Sequence, residues 1–173
     1  MPLRVLLVHG LLLVLHLSSP CQEVANELDQ RNGFKKIKMG MPVDSIPGIK
    51  FKKDFSDKEV KGAALYEVDH ADYREIGGVR IHKVEVRAYK GKVYDIRVIT
   101  DRNSELMRGL ESVLGPPQYD VRNEKYVWQG RLLTLTFRAL SRNQLELHYI
   151  SRLIRDWIEE EKKNRVKGIA DDF

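Results

Sequence analysis

The sequence predicts an α+β domain: an antiparallel sheet of hairpins packed by a central helix, with a further helix at the C-terminus. Three observations carry this. Between His82 and Val98 apolar and polar residues alternate with a period of two around a Lys90-Gly91 turn. Leu106, Met107, Leu110, Val113 and Leu114 recur at helical spacing and stop at Gly115-Pro116-Pro117. Alternation then returns from Tyr126 to Tyr149. A period of two marks a half-buried strand, and a period near 3.6 marks an amphipathic helix. The short Gly-containing turns and the lack of a strand–helix–strand rhythm disfavour a parallel sheet.

Met1–Gln22 reads as a secretory leader. Arg4 precedes thirteen residues, Val5–Leu17, that are mostly Leu and Val, and Ser18-Ser19-Pro20-Cys21 follows. A charged start, an apolar run of this length and a small-residue segment define a signal peptide. The run is shorter than the roughly 20 residues of a membrane span. Cleavage after Cys21, with Ser19 and Cys21 as the small residues, leaves Gln22 at the new N-terminus. Lipidation of Cys21 is disfavoured, because Pro20 stands where a small residue is wanted and Leu17 falls one place early. The expected organisation is a signal peptide at 1–21, a linker or short helix at 22–32, and one α+β domain at 33–173 with a charged helical tail.

The 152 residues from Gln22 to Phe173 (173 less the 21 of the leader) suit one domain. The chain has one cysteine, Cys21. Cleavage after it leaves no thiol for a disulfide or a thiolate metal site. Loss of Arg4 lowers the formal net charge from +5 to +4. Export disfavours nucleic acid as the partner of this mild basicity, and leaves an envelope protein, an anionic lipid or a glycan surface.

Each further element has a local reason. Val24 and Leu28 allow a short N-terminal helix. Phe34 and Ile37 suggest a first strand, followed by Gly40-Met41-Pro42. Pro42 can open a single helical turn over Val43–Ile46, which Pro47-Gly48 ends. Ile49-Lys50-Phe51 reads as a short extended piece, and Asp54–Lys61 as exposed. Ala63–Val68 and Tyr73–Ile76 read as strands, and Gly77-Gly78 as a turn. His82, Val84, Val86 and Ala88 share one strand face, and Tyr94, Ile96 and Val98 continue it. On the opposite face Asp95 and Arg97 fall across from Glu85 and Arg87. Asp101 or Asn103 caps the central helix. Tyr126-Val127-Trp128, Leu133–Phe137 and Leu145–Tyr149 form a three-stranded meander. Leu153, Ile154, Trp157 and Ile158 form a helical stripe, with Glu159–Lys163 and Glu161–Arg165 as i,i+4 pairs. The chain should fray from Gly168. A Tyr-containing hairpin before the central helix and a Trp-containing one after it suggest either a duplication or a sheet split by a helix.

The segments Gly33-Phe34…Ile37…Gly40-Met41-Pro42…Ile46-Pro47-Gly48, Tyr89–Tyr94, Leu114-Gly115-Pro116-Pro117 and Tyr126–Gly130 resemble small exported bacterial proteins of Bacteroidetes type, a group of uncharacterised function. A looser similarity, on Gly40-Met41-Pro42 and Gly115-Pro116, is to outer-membrane assembly lipoproteins of the SmpA/OmlA type and to beta-lactamase-inhibitor-like domains. That similarity implies antiparallel strands, a helix ending in Gly-x-Pro and a protein-binding role.

No motif of catalysis stands out. Gly-x-Ser-x-Gly is absent, and so is a phosphate-cradling glycine loop. His70 lies near Asp69 and Asp72, a spacing that reads more simply as a solvated acidic turn than as a metal site. His82 reads as a partly buried strand residue and His148 as a surface one. No cofactor is implied. The candidate binding residues are an apolar patch of Phe34 and Met41 (with Met39) rimmed by Lys35, Lys36, Lys38, Lys50, Lys52 and Lys53, together with Trp128. For Trp128 and Trp157, packing in the core or docking a helix is the simpler role. The expected function is a non-enzymatic binding or structural protein of the bacterial envelope, periplasmic or secreted. The alternatives are an unrecognised hydrolase or carbohydrate-active enzyme, and a lipidated envelope-assembly factor.

Overall fold

The alternating run from Val79 to Asp101 builds the middle of the molecule. Its residues pair as the long hairpin β6 (Val79–Tyr89) and β7 (Lys92–Asp101), and the rest of the chain is laid out around it. The computed structural model describes residues 26–54 and 62–171. The expected leader, with Cys21, and most of Asp54–Lys61 lie outside the described residues.

Two meanders of four strands make up most of a nine-stranded sheet. The first is β3 (Ile49–Asp54), β4 (Ala63–Val68), β6 and β7; the second is β8 (Gln118–Asp120), β9 (Lys125–Gln129), β10 (Leu133–Ala139) and β11 (Gln144–Ser151). Their last strands, β7 and β11, pair antiparallel at the centre, so the order is β3-β4-β6-β7-β11-β10-β9-β8. The remaining strand, β5 (Glu75–Ile76), pairs only with the start of β6. The expected Tyr73–Ile76 strand is thus shorter than its sequence suggests: Glu75–Ile76 is extended, and Tyr73 ends a 3₁₀ turn over Ala71–Tyr73. The second meander has one more strand than the three expected, because Gln118–Asp120 adds an edge. The two meanders flank the central helix in the chain and join through β7 and β11 into one continuous sheet.

The pairing of charges across β6 and β7 follows the sequence reading: Glu85 faces Arg97 and Arg87 faces Asp95. The apolar phase does not hold throughout. Register shifts fall between Ile81 and Lys83 and between Arg87 and Ala88. An extra residue moves everything beyond it to the other face. The first shift puts Ile81 in the core and leaves His82 exposed. The second puts Val93 in the core and turns Tyr94 to the outer face, where it packs with Tyr89.

The central helix α2 (Ser104–Leu114) lies on the inner face. Asn103, one of the two expected caps, accepts the Glu105 N–H at 2.7 Å. At its other end the Trp128 indole donates to the Gly115 carbonyl at 2.8 Å, so Trp128 is a core residue that docks the helix. Beside α2 sits a short helix, α1 (Glu27–Arg31), followed by the hairpin of β1 (Gly33–Phe34) and β2 (Ile37–Lys38). The first expected strand is thus two short strands folded on each other. Gly33 has φ 138°, and a Cβ there would lie 2.2 Å from the Ile37 carbonyl oxygen. Only glycine fits that approach. The single helical turn expected after Pro42 is a 3₁₀ turn over Val43–Ser45.

Asp29 ties α1 to the second meander. Its carboxylate accepts the backbone N–H groups of Arg131, Leu132 and Leu133 at 2.7–3.0 Å. Gly130 permits it, since a Cβ there would sit 2.2 Å from the Asp29 Oδ1.

The C-terminal helix α3 (Arg152–Asp171) crosses the outer face and continues through Gly168, where fraying is expected from sequence. Ile158 is buried against Ala63 and Tyr89. The expected core role of Trp157 is not met: Trp157 is 65% exposed and Leu153 59%. The stripe is wider than the contact: Ile154 and Ile158 pack with Ala63, Tyr89 and Tyr94, and Leu153 and Trp157 are left largely uncovered. Glu161 keeps an electrostatic interaction with Arg165 and also reaches the sheet. Its carboxylate accepts from the Tyr89 hydroxyl and from Lys90 Nζ, the latter at 2.5 Å.

Candidate functional site

The α2 stripe contains more apolar surface than the sheet covers. Leu106 is buried, Met107, Leu110 and Leu114 are half-buried, and Val113 remains 44% exposed. The uncovered side faces a cleft of about 420 Å³ between α2 and the segment of α1, β1 and β2. Phe34, Ile76, Val79 and Tyr149 also line it. Its volume lies in the lower part of the range of small-molecule sites, about 300–1,000 Å³. Gly109 faces it from the helix, and a Cβ there would meet nothing within 4 Å.

The polar groups of the cleft are on its rim. Arg31, Lys35 and Lys38 stand on the α1–β2 side and Glu105 on the α2 side. Lys35 Nζ donates to the carbonyls of Asp72 and Glu75, both at 2.6 Å, and Lys38 Nζ to the carbonyl of Arg31 at 2.7 Å. Arg31 pairs with Glu27 at 2.8 Å. Glu105 is largely exposed, with Arg108 at 3.6 Å. Burial pushes the Tyr149 phenol well above its ordinary pKa, so it stays protonated. Among these lining residues no base is hydrogen-bonded to a nucleophile.

The patch expected from sequence divides differently. Phe34 is 3% exposed and belongs to the core, and Met39 and Met41 are half-buried against that core, Met39 also lining a separate cavity beside α3. The hairpin turns Phe34 inward, between Tyr73 and Tyr149. Lys35 and Lys38 reach the cleft. Lys36 does not line it: it bonds Asp72 at 2.7 Å, and that hydrogen bond holds the Asp72 carboxyl below its ordinary range. Lys50 and Lys52 lie on the edge strand β3, paired with Asp69 at 2.7 Å and Glu67 at 2.8 Å. Lys53 is exposed on the same strand. The lysines close in sequence therefore divide between the cleft rim and the edge strand, with Lys36 and Lys50 both paired to the Asp69–Asp72 segment. Cleft residues not named as binding candidates from sequence include Arg31, Glu105, Gly109 and Tyr149; a glycine inside the apolar helical stripe was the available signal.

The three described histidines are held by carboxylates or backbone. His70 Nδ1 accepts the Asp72 N–H at 3.3 Å, and its neighbour Asp69 is engaged with Lys50. His82 lies 2.6 Å from Asp101. His148, expected at the surface, is largely covered and lies 2.8 Å from the buried Asp95. It belongs to a charged row on the outer face, where it sits opposite Arg97.

The chain matches no protein-family model, no curated protein and no solved structure.

Proposed function

We propose that this protein is a non-enzymatic binding module of the bacterial envelope, exported by its leader, and that the cleft beneath α2 is where it binds. One observation supports this above the others: the helix stripe is left half-covered over an apolar floor, with the charged groups confined to the rim. Apolar lining with a few convergent polar groups is the usual character of a ligand site. A hydrolase would need a nucleophile and a base in reach of each other, and the lining residues offer a protonated phenol, rim cations and one solvated carboxylate.

The test is photo-crosslinking in the cell. A benzophenone amino acid at Val113, on the lip of the cleft, should capture a partner or ligand in the envelope fraction. The same group at Leu140, exposed elsewhere on the molecule, should not. Equal capture at both positions, or protein confined to the cytoplasm with its leader intact, would sink the reading. The mass of the N-terminus also distinguishes Gln22 from an acylated Cys21.

A further inference from the structure

We infer that the cleft takes a single-chain anionic amphiphile, a free fatty-acid-like carboxylate, with its tail against α2 and its head at Lys35 and Lys38. This rests on the reading that the cleft is the binding site. The first support is charge. The rim has cations from Arg31, Lys35 and Lys38 against the single carboxylate of Glu105. The two lysine ammoniums bond to backbone carbonyls, which orient them; the Asp72 carboxylate, itself bonded to Lys36, offsets part of the Lys35 charge, and Lys38 has no carboxylate among its hydrogen-bond partners. Arg31 is already offset by Glu27. An anionic head is therefore favoured at the hairpin wall, away from Glu105.

The second support is shape. A helix with its side chains is about 10–12 Å across and needs a long groove. A cleft of about 420 Å³ suits one flexible chain. The apolar floor is recessed: Phe34 is 3% and Tyr149 6% exposed, and only Val113 stands out at the lip. A bilayer surface cannot reach a recessed floor, whereas a free chain can. The open space beside Gly109 extends the apolar wall along the helix.

The experiment is calorimetric titration of the full processed chain with dodecanoate below its micelle concentration, alongside octanoate, decanoate and dodecyltrimethylammonium. Dodecanoate should bind, with each added methylene that is buried tightening binding by up to about fourfold. The cationic analogue should bind at least tenfold more weakly. Gly109→Leu fills the cleft and replaces a poor helix former by a good one; it should weaken dodecanoate at least tenfold with the melting temperature unchanged or raised. Lys38→Glu should weaken dodecanoate and strengthen the cationic analogue. Equal binding of the two head groups, or full affinity in Gly109→Leu, overturns the proposal. So does a concentration-dependent dimer lost in Gly109→Leu without dodecanoate binding, which assigns the cleft to a second copy. Binding to phosphatidylglycerol vesicles without dodecanoate binding assigns it to a bilayer and also overturns the proposal. If dodecanoate fails while the Val113 crosslinker still captures a partner, the ligand class is wrong and the binding site stands; if both fail, both are wrong.

Discussion

The two faces of the sheet are built from the same strands and solve opposite problems. On the inner face Leu135, Tyr149, Ile96 and Val86 form one continuous row across four strands, and all are buried. The next row on the outer face reads Thr136, His148, Arg97 and Glu85. The inner face is closed by helices and by the β1–β2 hairpin. The outer face has α3 over only one end, and closes the rest with its own long side chains. Glu146 is 2% exposed there, because Arg138 lies 2.7 Å and Arg97 3.1 Å from its carboxylate. Arg97 Nε sits at that distance without the alignment of a hydrogen bond. A sheet face can thus be covered either by another apolar element or by charge pairs whose aliphatic stems shield the backbone.

The contrast can be broken most forcefully from inside. Leu147→Ala removes a fully buried side chain from the centre of the inner face. It should cost about 2–5 kcal/mol, measured by urea unfolding. A loss below about 1 kcal/mol would mean the inner face is loosely packed. On the outer face, Glu146→Ala leaves Arg97 and Arg138 unmatched. Both are partly exposed and can turn to water, so the expected cost is smaller, about 1–3 kcal/mol. A double-mutant cycle with Arg138→Ala should show coupling between the two. Additive effects would show that the pair contributes little beyond its stems.

The smallest effect belongs to the α3 end of the outer face. The Lys90 hydrogen bond, with that of Tyr89, lowers the Glu161 pKa below its ordinary 4.5. A carboxylate with a lowered folded pKa contributes stability above its unfolded value, and that contribution is lost as pH falls through the folded value. The docking of α3 should therefore loosen only below about pH 4.5, followed by hydrogen exchange at Ile158 and its neighbours. Glu161→Gln should abolish this pH dependence. An unchanged acid profile in that variant would remove Glu161 from the docking contact.

Much of the fold was legible because its signals are local. Alternation over Val84–Val98, the Asn103 cap and the Gly115-Pro116-Pro117 stop each depend on neighbouring residues. The charge pairing of Glu85 with Arg97 follows once the hairpin turn is placed. The cleft was legible in part: the apolar helix stripe and two of its lysines could be named, but not their meeting. Phe34 is expected in a surface patch and Trp128 more simply in the core, and sequence offers little to separate the two, since an aromatic ring serves either place. Trp157 belongs to a sound amphipathic stripe, and the sequence does not say how much of that stripe finds a partner. Asp29 stood in a short polar segment with nothing to mark the backbone groups it reaches about a hundred residues away.

By itself the sequence determined the α+β class, the antiparallel hairpins, the place of the central helix and the expectation of export. Periodicity, turn residues and the leader are properties of short stretches, and short stretches carry them intact. The tertiary structure alone decided that the meanders join through β7 and β11, that two β-bulges re-phase the central hairpin, and that Lys35 and Lys38 stand at a cleft while Lys50, Lys52 and Lys53 stand on an edge strand. Those outcomes depend on which apolar surfaces meet and how much of each is covered. That is a property of the whole packed chain, and it left one side of α2 open.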